Sequence, residues 1–287
     1  MSKLYFLVCL LLASAAAQAQ SGAPGVRGAR AAALGNASVT LSNDLWALSN
    51  NVAGLAQLNR PEVGVYAENR FLIPNINNAA LAVAMPLGRQ PEGSTVTTPP
   101  NGVVGVEVQR FGDKRYSESR AGLGYAYRLG VISLGARVDM LQTSIEGLGS
   151  RRTVAASLGG QAEVVPQKLT FGVYLYNLNQ AKLAEYQDER VPTVLRAGLG
   201  FRPSAKVMLV AETEKDIDRD ADFRAGLEYQ LIDAFTVRAG VATLSEQVTA
   251  GFGLRFGQLR VDYGAQLHNV LGLSQHLNVN LRLGPKS

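Results

Sequence analysis

The chain has 287 residues, of which 47% are hydrophobic and 18% charged, and its formal net charge is +5. Its single cysteine, Cys9, lies in an N-terminal apolar run, so the remainder can form neither a disulfide nor a cysteine-based metal site. The mild basicity comes without clustered cations and interleaved aromatics, so no nucleic-acid partner is expected, and no cofactor is implied.

Lys3, the apolar run Leu4 to Leu12 and the small-residue exit Ala17-Gln18-Ala19 predict a secretory signal peptide over residues 1–19, cleaved after Ala19. Beyond Gln20 no stretch reaches the roughly 18 apolar residues of a spanning helix. Any membrane crossing must therefore use strands.

Residues 20–60 form an N-terminal segment of different character, and residues 28–58 within it do not alternate. The small residues of Gly28–Ala37 suit close packing. Asn43-Asp44 is placed to cap a short helix, Leu45–Ser49, and Asn50, Asn51 and Gly54 suit a turn ahead of Leu55. Trp46, the only tryptophan, is expected to pack inside the fold. Asn50 and Asn51 are expected to satisfy backbone groups or buried arginines.

From residue 61 to residue 284, with 285–287 left as a tail, apolar residues alternate with Gly, Ser or charged residues for about ten positions at a time. Leu259, Val261, Tyr263, Ala265 and Leu267 alternate with Arg260, Asp262, Gly264, Gln266 and His268. Successive strand side chains point to opposite faces, so each segment has one apolar face and one polar or very small face. About fourteen such segments start near Glu62, Asn78, Gly102, Glu118, Val131, Thr153, Lys168, Thr193, Ala205, Ala221, Asp233, Gln247, Gln258 and Ser274. The spacing predicts an all-β fold, a transmembrane antiparallel β-barrel of about fourteen strands.

Short connections at Gly130, Val164–Gln167, Pro203-Ser204, Leu231-Ile232 and Gly257 alternate with longer polar ones. The long set is Asn69–Asn77, Gly112–Ser117, Thr143–Arg151, Asn179–Pro192, Lys215–Asp220, Thr243–Glu246 and Asn269–Leu273. Outer-membrane barrels place short turns in the periplasm and long loops outside. Fourteen strands then return both termini to the periplasm, and only Gly88–Asn101 breaks the pattern. Tyr127, Phe201, Tyr229, Phe235 and Phe256 fall on the apolar face near short turns, where an interfacial aromatic girdle is expected. Localisation in the cell outer membrane, with outer-membrane lipid around the wall, follows.

The inward face carries Arg120, Arg137, Arg196, Arg224, Arg238, Arg255, Arg260 and Arg282, with Arg128 and Arg202. Against them stand Asp139, Glu212, Glu228 and Asp262, with Glu107, Glu163 and Asp222. Unpaired charges are costly in a closed interior, so an ion-pair lattice is expected over an anion-attracting pore. Inward glycines (Gly122, Gly124, Gly198, Gly200, Gly226, Gly240, Gly251, Gly253) leave room for something else. Only His268 and His276 supply imidazoles and no serine is placed as a nucleophile, so catalysis is not expected. His276 is expected to be a hydrogen-bonded lumen residue.

The order Gly28–Ala37, Asn43-Asp44, then Asn51-Val52-Ala53-Gly54-Leu55-Ala56 resembles the start of the FadL-like outer-membrane superfamily, and most of all its PorV/PorQ-like branch from Bacteroidetes. Asp262-Tyr263 with Leu271-Gly272-Leu273-Ser274-Gln275-His276 resembles that family's ending. Val52, Asn43 and Gln275 depart from its motifs. The resemblance implies a fourteen-stranded barrel with residues 20–60 folded into the lumen as a hatch or plug. It also implies one of two functions. PorV-like proteins are partners in type IX secretion, contacting the translocon or exported cargo. FadL-like proteins pass small hydrophobic molecules. The modest, charged loops favour the first.

Overall fold

The computed structural model describes residues 25–88, 99–183, 190–244 and 246–284. The expected signal and its cleavage point, most of Gly88–Asn101, the middle of Asn179–Pro192 and the tail 285–287 lie outside the described residues.

The repeated alternation folds as fourteen antiparallel strands closed into one barrel. They are β1 Glu62–Asn69, β2 Asn77–Pro86, β3 Val103–Gly112, β4 Tyr116–Leu129, β5 Ile132–Ile145, β6 Gly149–Val165 and β7 Leu169–Tyr176. β8 Val194–Ser204, β9 Val207–Asp216, β10 Asp222–Ile232, β11 Phe235–Ala242, β12 Gln247–Phe256, β13 Leu259–His268 and β14 Gly272–Arg282 follow. Each strand pairs with its sequence neighbours, and β1 closes the ring on β14 with Glu62 opposite Arg282. Closure removes every free edge, which is the condition for strands to cross a membrane. The register slips only at Glu163/Val165, Phe201/Ser204 and Gln230/Ile232, all beside short turns.

The outward face is apolar and open to the surroundings: Leu129, Leu134 and Leu123 are 72%, 61% and 56% exposed. The aromatic girdle residues Tyr127, Phe201, Tyr229 and Phe256 are exposed on this face, and Phe235 is half-buried there. The core is the lumen, the inverse of a water-soluble sandwich.

Strand length departs from the expected ten residues in one sector. β4 and β5 have 14 residues and β6 has 17. Thr143–Arg151, expected as a loop, is therefore mostly strand, with Ile145 paired to Gly149 around a tight turn. Polar side chains at Gln142, Thr143, Ser144, Arg151 and Arg152 read as loop, yet a hairpin beyond the bilayer extends as readily in water.

Inside the barrel lie α1 (Ala29–Ala33), α2 (Ala47–Asn50) and a 3₁₀ helix (Val52–Gln57). α2 starts two residues later than the predicted Leu45–Ser49. Its N-cap is Trp46 and makes no side-chain cap, while Asp44 Oδ1 accepts from the Trp46 backbone N–H at 3.0 Å. Asp44 thus closes the turn ahead of the helix instead of capping its first N–H groups. The described chain starts in the long-loop half of the lumen, where the Arg27 guanidinium donates to Gln109 Oε1 at 2.6 and 3.2 Å. The two ends of the barrel itself meet at the short-turn side, whereas Arg27 is buried toward the opposite, long-loop end.

Candidate functional site

The segment in the lumen is held first by shape. Leu34, Leu41, Leu45, Leu48, Leu55 and Leu58 are no more than 2% exposed, and burial of a leucine contributes about 1.5–3 kcal/mol. They approach the wall where the wall has no side chain. A Cβ on Gly226 or Gly240 would strike Leu34, one on Gly251 would strike Ala33, and one on Gly124 would strike Leu48. Gly198 and Gly200 likewise face Val39 and Thr40. Gly122 and Gly253 serve differently, making room for Arg137 with Asp139 and for Arg238 with Asp262.

Hydrogen bonds then fix the register of plug on wall. Asn51 Nδ2 donates to Val39 O at 2.7 Å and to Gly160 O and Val173 O at 3.2 Å, and Asn51 Oδ1 accepts from Ala53 N–H. Asn50 exchanges two bonds with the Arg27 backbone, at 2.9 and 2.7 Å. Gly54 leaves a gap that Leu41 O fills. Thr249 Oγ1 accepts from Gly35 N–H and donates to Ala33 O, both at 2.9 Å. Glu212 Oε2 accepts from the Ser38 and Val39 N–H groups at 2.6 and 2.7 Å.

The charges form linked clusters. Arg137 is the hub of one: it meets Asp139 at 2.7 Å and Glu107 at 2.8 Å, and it donates to Leu48 O of the plug at 2.9 Å. Ser49 Oγ donates to the same Glu107. All three charged side chains are 1% exposed. In a second cluster Arg196 and Arg224 share Glu214 at 2.5 and 2.6 Å, with Glu212 alongside and Asp222 2.9 Å from Arg224. In a third, Glu228 binds Arg30 at 2.7 Å and Arg238 at 2.6 Å, and Asp262 binds Arg238 at 2.9 Å and Arg260 at 2.8 Å. Arg282 pairs with Glu62 at 3.0 Å and reaches Asn43 O at 3.2 Å. Three of the predicted lumen arginines depart from the ion-pair expectation. Arg120 lies over the Tyr176 ring at 5.4 Å, and Arg202 and Arg255 have no carboxylate partner among the described residues.

Trp46, Tyr66 and His276 form an aromatic run. Trp46 and Tyr66 centroids are 5.5 Å apart, Tyr66 OH meets His276 Nδ1 at 2.8 Å, and Trp46 Nε1 donates to Asn280 Oδ1 at 3.1 Å. Tyr66, Glu68 and Glu214 were not named from the sequence, and Glu62, Asn278 and Asn280 were given no site role, although the period of two in β1, β9 and β14 puts all six inward.

Toward the long-loop end, the described parts of the β7–β8 connection fold inward. Asn177 Nδ2 donates to Val191 O at 2.7 Å and Asn177 Oδ1 accepts from Ala181 N–H at 2.9 Å. Ala181 and Val191 pack on Val39, Leu141, Tyr174 and Tyr176. A hollow of only about 20 Å³ is found near there, between Arg120, Leu141 and Leu183. The short-turn end instead opens into a charged vestibule of about 470 Å³. A separate hollow of about 500 Å³ lies in the lipid-facing wall, floored by Ala197, Ala211 and Ala225 between Phe171 and Phe223. Among the described residues no group of His, Cys, Asp and Glu side chains has metal-site geometry.

The sequence matches no known protein-family model and no curated protein. Solved structures match it in shape. A mutant of the TodX monoaromatic hydrocarbon channel superposes with a TM-score of 0.66 at 13% identity, covering 90% of this chain and 97% of that one. The fold is that of the outer-membrane β-barrels. Outer membrane protein Omp33 of Acinetobacter baumannii gives a TM-score of 0.50 at 11% identity, over 78% of this chain and 98% of that one. Identities this low speak for architecture alone, so the function must be argued from the packed lumen and the wall.

Proposed function

We propose that this chain is an outer-membrane barrel that works through its surfaces, as a PorV/PorQ-like binding or assembly partner in type IX-like protein secretion. The observation that carries the reading is the filled lumen. Arg137, Glu107 and Asp139 are buried together against the backbone of the plug, and breaking such a cluster to open a passage would cost several kcal/mol, roughly 3–5 for one partner removed. A barrel closed this way has its loops and outer wall left for recognition. The apolar hollow over Ala197, Ala211 and Ala225 offers one such surface. Affinity purification from native outer membranes tests the reading. Co-purification of a very large translocon protein, or of an exported cargo domain, supports it. Recovery of the barrel with lipid alone counts against it.

A second reading, a FadL-like conduit for small hydrophobic molecules, is favoured by the likeness to TodX across 90% of the chain. That reading requires an apolar internal pocket. The large internal cavity here is lined by Arg30, Glu163, Arg202, Glu228, Arg238, Arg255 and Arg260, and the ladder around β1–β4 pairs without a gap. Uptake of a monoaromatic hydrocarbon by cells expressing the chain, above the empty-vector rate, would establish the second reading over the first.

A further inference from the structure

We propose that the short-turn mouth of the barrel is a binding site for a small, multiply charged phosphate-type oxyanion, entering from the periplasmic side. This site stands apart from the partner-binding reading above.

The vestibule of about 470 Å³ is lined by seven cationic side chains, Arg30, Arg202, Lys206, Arg238, Arg255, Arg260 and Arg282, against three carboxylates, Glu163, Glu228 and Asp233. Three of the four nearby carboxylates are already committed to a cation. Glu228 serves Arg30 and Arg238, and Asp262, just behind the lining, serves Arg238 and Arg260. Glu163 is 2.9 Å from Arg128, and Asp233 accepts a 3.4 Å bond from the neutral Gln230 side chain and meets no cation among the described residues. The side chains of Arg202, Lys206 and Arg255 have no carboxylate partner among the described residues.

The strand register sharpens this. Arg255 on β12 stands directly opposite Arg260 on β13, and both point inward. Arg282 follows on β14, two residues from Asn280, the register partner of Arg260. Like charges directly opposite each other on neighbouring strands repel; Asp262 and Glu62 offset Arg260 and Arg282, while Arg255 has no such carboxylate. A bridging oxyanion removes the repulsion, because the guanidinium fork presents parallel N–H donors matched to phosphate oxygens. Three cations without partners suit a ligand carrying two or three negative charges. The cavity lies within the ring of strands, which favours a soluble anion over a lipid headgroup.

The test uses the full chain folded in detergent micelles and titrated calorimetrically with inorganic pyrophosphate at low salt. One saturable site per chain is expected. Arg202→Gln with Arg255→Gln should weaken it at least tenfold, Lys206→Gln alone severalfold, and Arg115→Gln at the opposite end not at all. Lys206 is exposed and makes no side-chain bond among the described residues, so that variant keeps the test decisive even if the double variant misfolds. Absence of saturable binding, equal loss in Arg115→Gln, or unchanged binding in Lys206→Gln and the double variant would overturn the proposal. So would pyrophosphate binding only when presented on anionic lipid vesicles, or binding of a glutamate-rich peptide in its place.

Discussion

Arg30 of the plug and Glu228 of β10 form a two-pronged ion pair, Nε to Oε2 at 2.8 Å and Nη2 to Oε1 at 2.7 Å. The pair ties a five-residue helix, too short to persist alone, to a strand 198 positions away. Glu228 also holds Arg238 of the neighbouring strand at 2.6 Å, so the two partners are not equivalent. Glu228→Gln leaves two buried guanidinium groups short of charge and should destabilise the folded barrel by about 3–5 kcal/mol. Arg30→Met leaves Glu228 with Arg238 and should cost less. Urea unfolding in detergent, followed by intrinsic fluorescence, should rank them in that order.

Gly240 of β11 makes the closest approach of a wall glycine to the plug backbone. A Cβ there would lie 2.2 Å from Gly35 N and 2.4 Å from Leu34 C. Gly35 has a φ of +68°, a conformation open to glycine at little cost, so the plug cannot easily shift aside at that point. Gly240→Val should leave the barrel formed and the plug poorly seated. The expected signature is faster tryptic cleavage at Arg27 and Arg30, with the far-ultraviolet β spectrum unchanged.

Trp46 reports on the same seating by light. Its side chain is buried, donates to Asn280 Oδ1 and packs against Tyr66. Since it is the only tryptophan, the emission of the whole protein should be blue-shifted and resist acrylamide quenching. In Gly240→Val the emission should move red and become quenchable. A water-like spectrum in the unmodified protein would contradict a packed plug.

The strands were legible because a wall with lipid on one side and a filled lumen on the other imposes a period of two on every segment. All fourteen segment starts read from the sequence lie within a few residues of the strands. The inward glycines were legible as space, and what fills most of it proves to be the leucines and small residues of the plug. Asn51 was expected to satisfy backbone groups or arginines, and it meets backbone; which carbonyls it reaches, those of Val39, Gly160 and Val173, was not legible, because no sequence pattern marks them. The partnering of arginines was only half legible. Arg120 and Arg255 share the inward position of Arg137, but which carboxylate each can reach depends on strand stagger and on which pairs are already made.

A pH response is expected in the turn between β3 and β4, outside the barrel wall. Asp113 Oδ1 accepts from the Tyr116 N–H at 3.2 Å and the Arg115 N–H at 2.8 Å, and these backbone donors hold its carboxyl below the ordinary aspartate value of 3.8. A carboxylate whose folded pKa is depressed stabilises the fold above its unfolded pKa, and that contribution is lost as pH falls through the lower folded value. The turn should therefore keep its geometry at neutral and mildly acidic pH and loosen only below about 3.8. In Asp113→Asn the side-chain oxygen still accepts but carries no charge, so the same turn should be weaker at pH 7 and insensitive to acid. Amide chemical shifts of Arg115 and Tyr116, followed from pH 7 to pH 2, should titrate in the unmodified protein and stay flat in the variant. Titration centred above pH 4 in the unmodified protein would mean that the two amides do not bind the carboxylate.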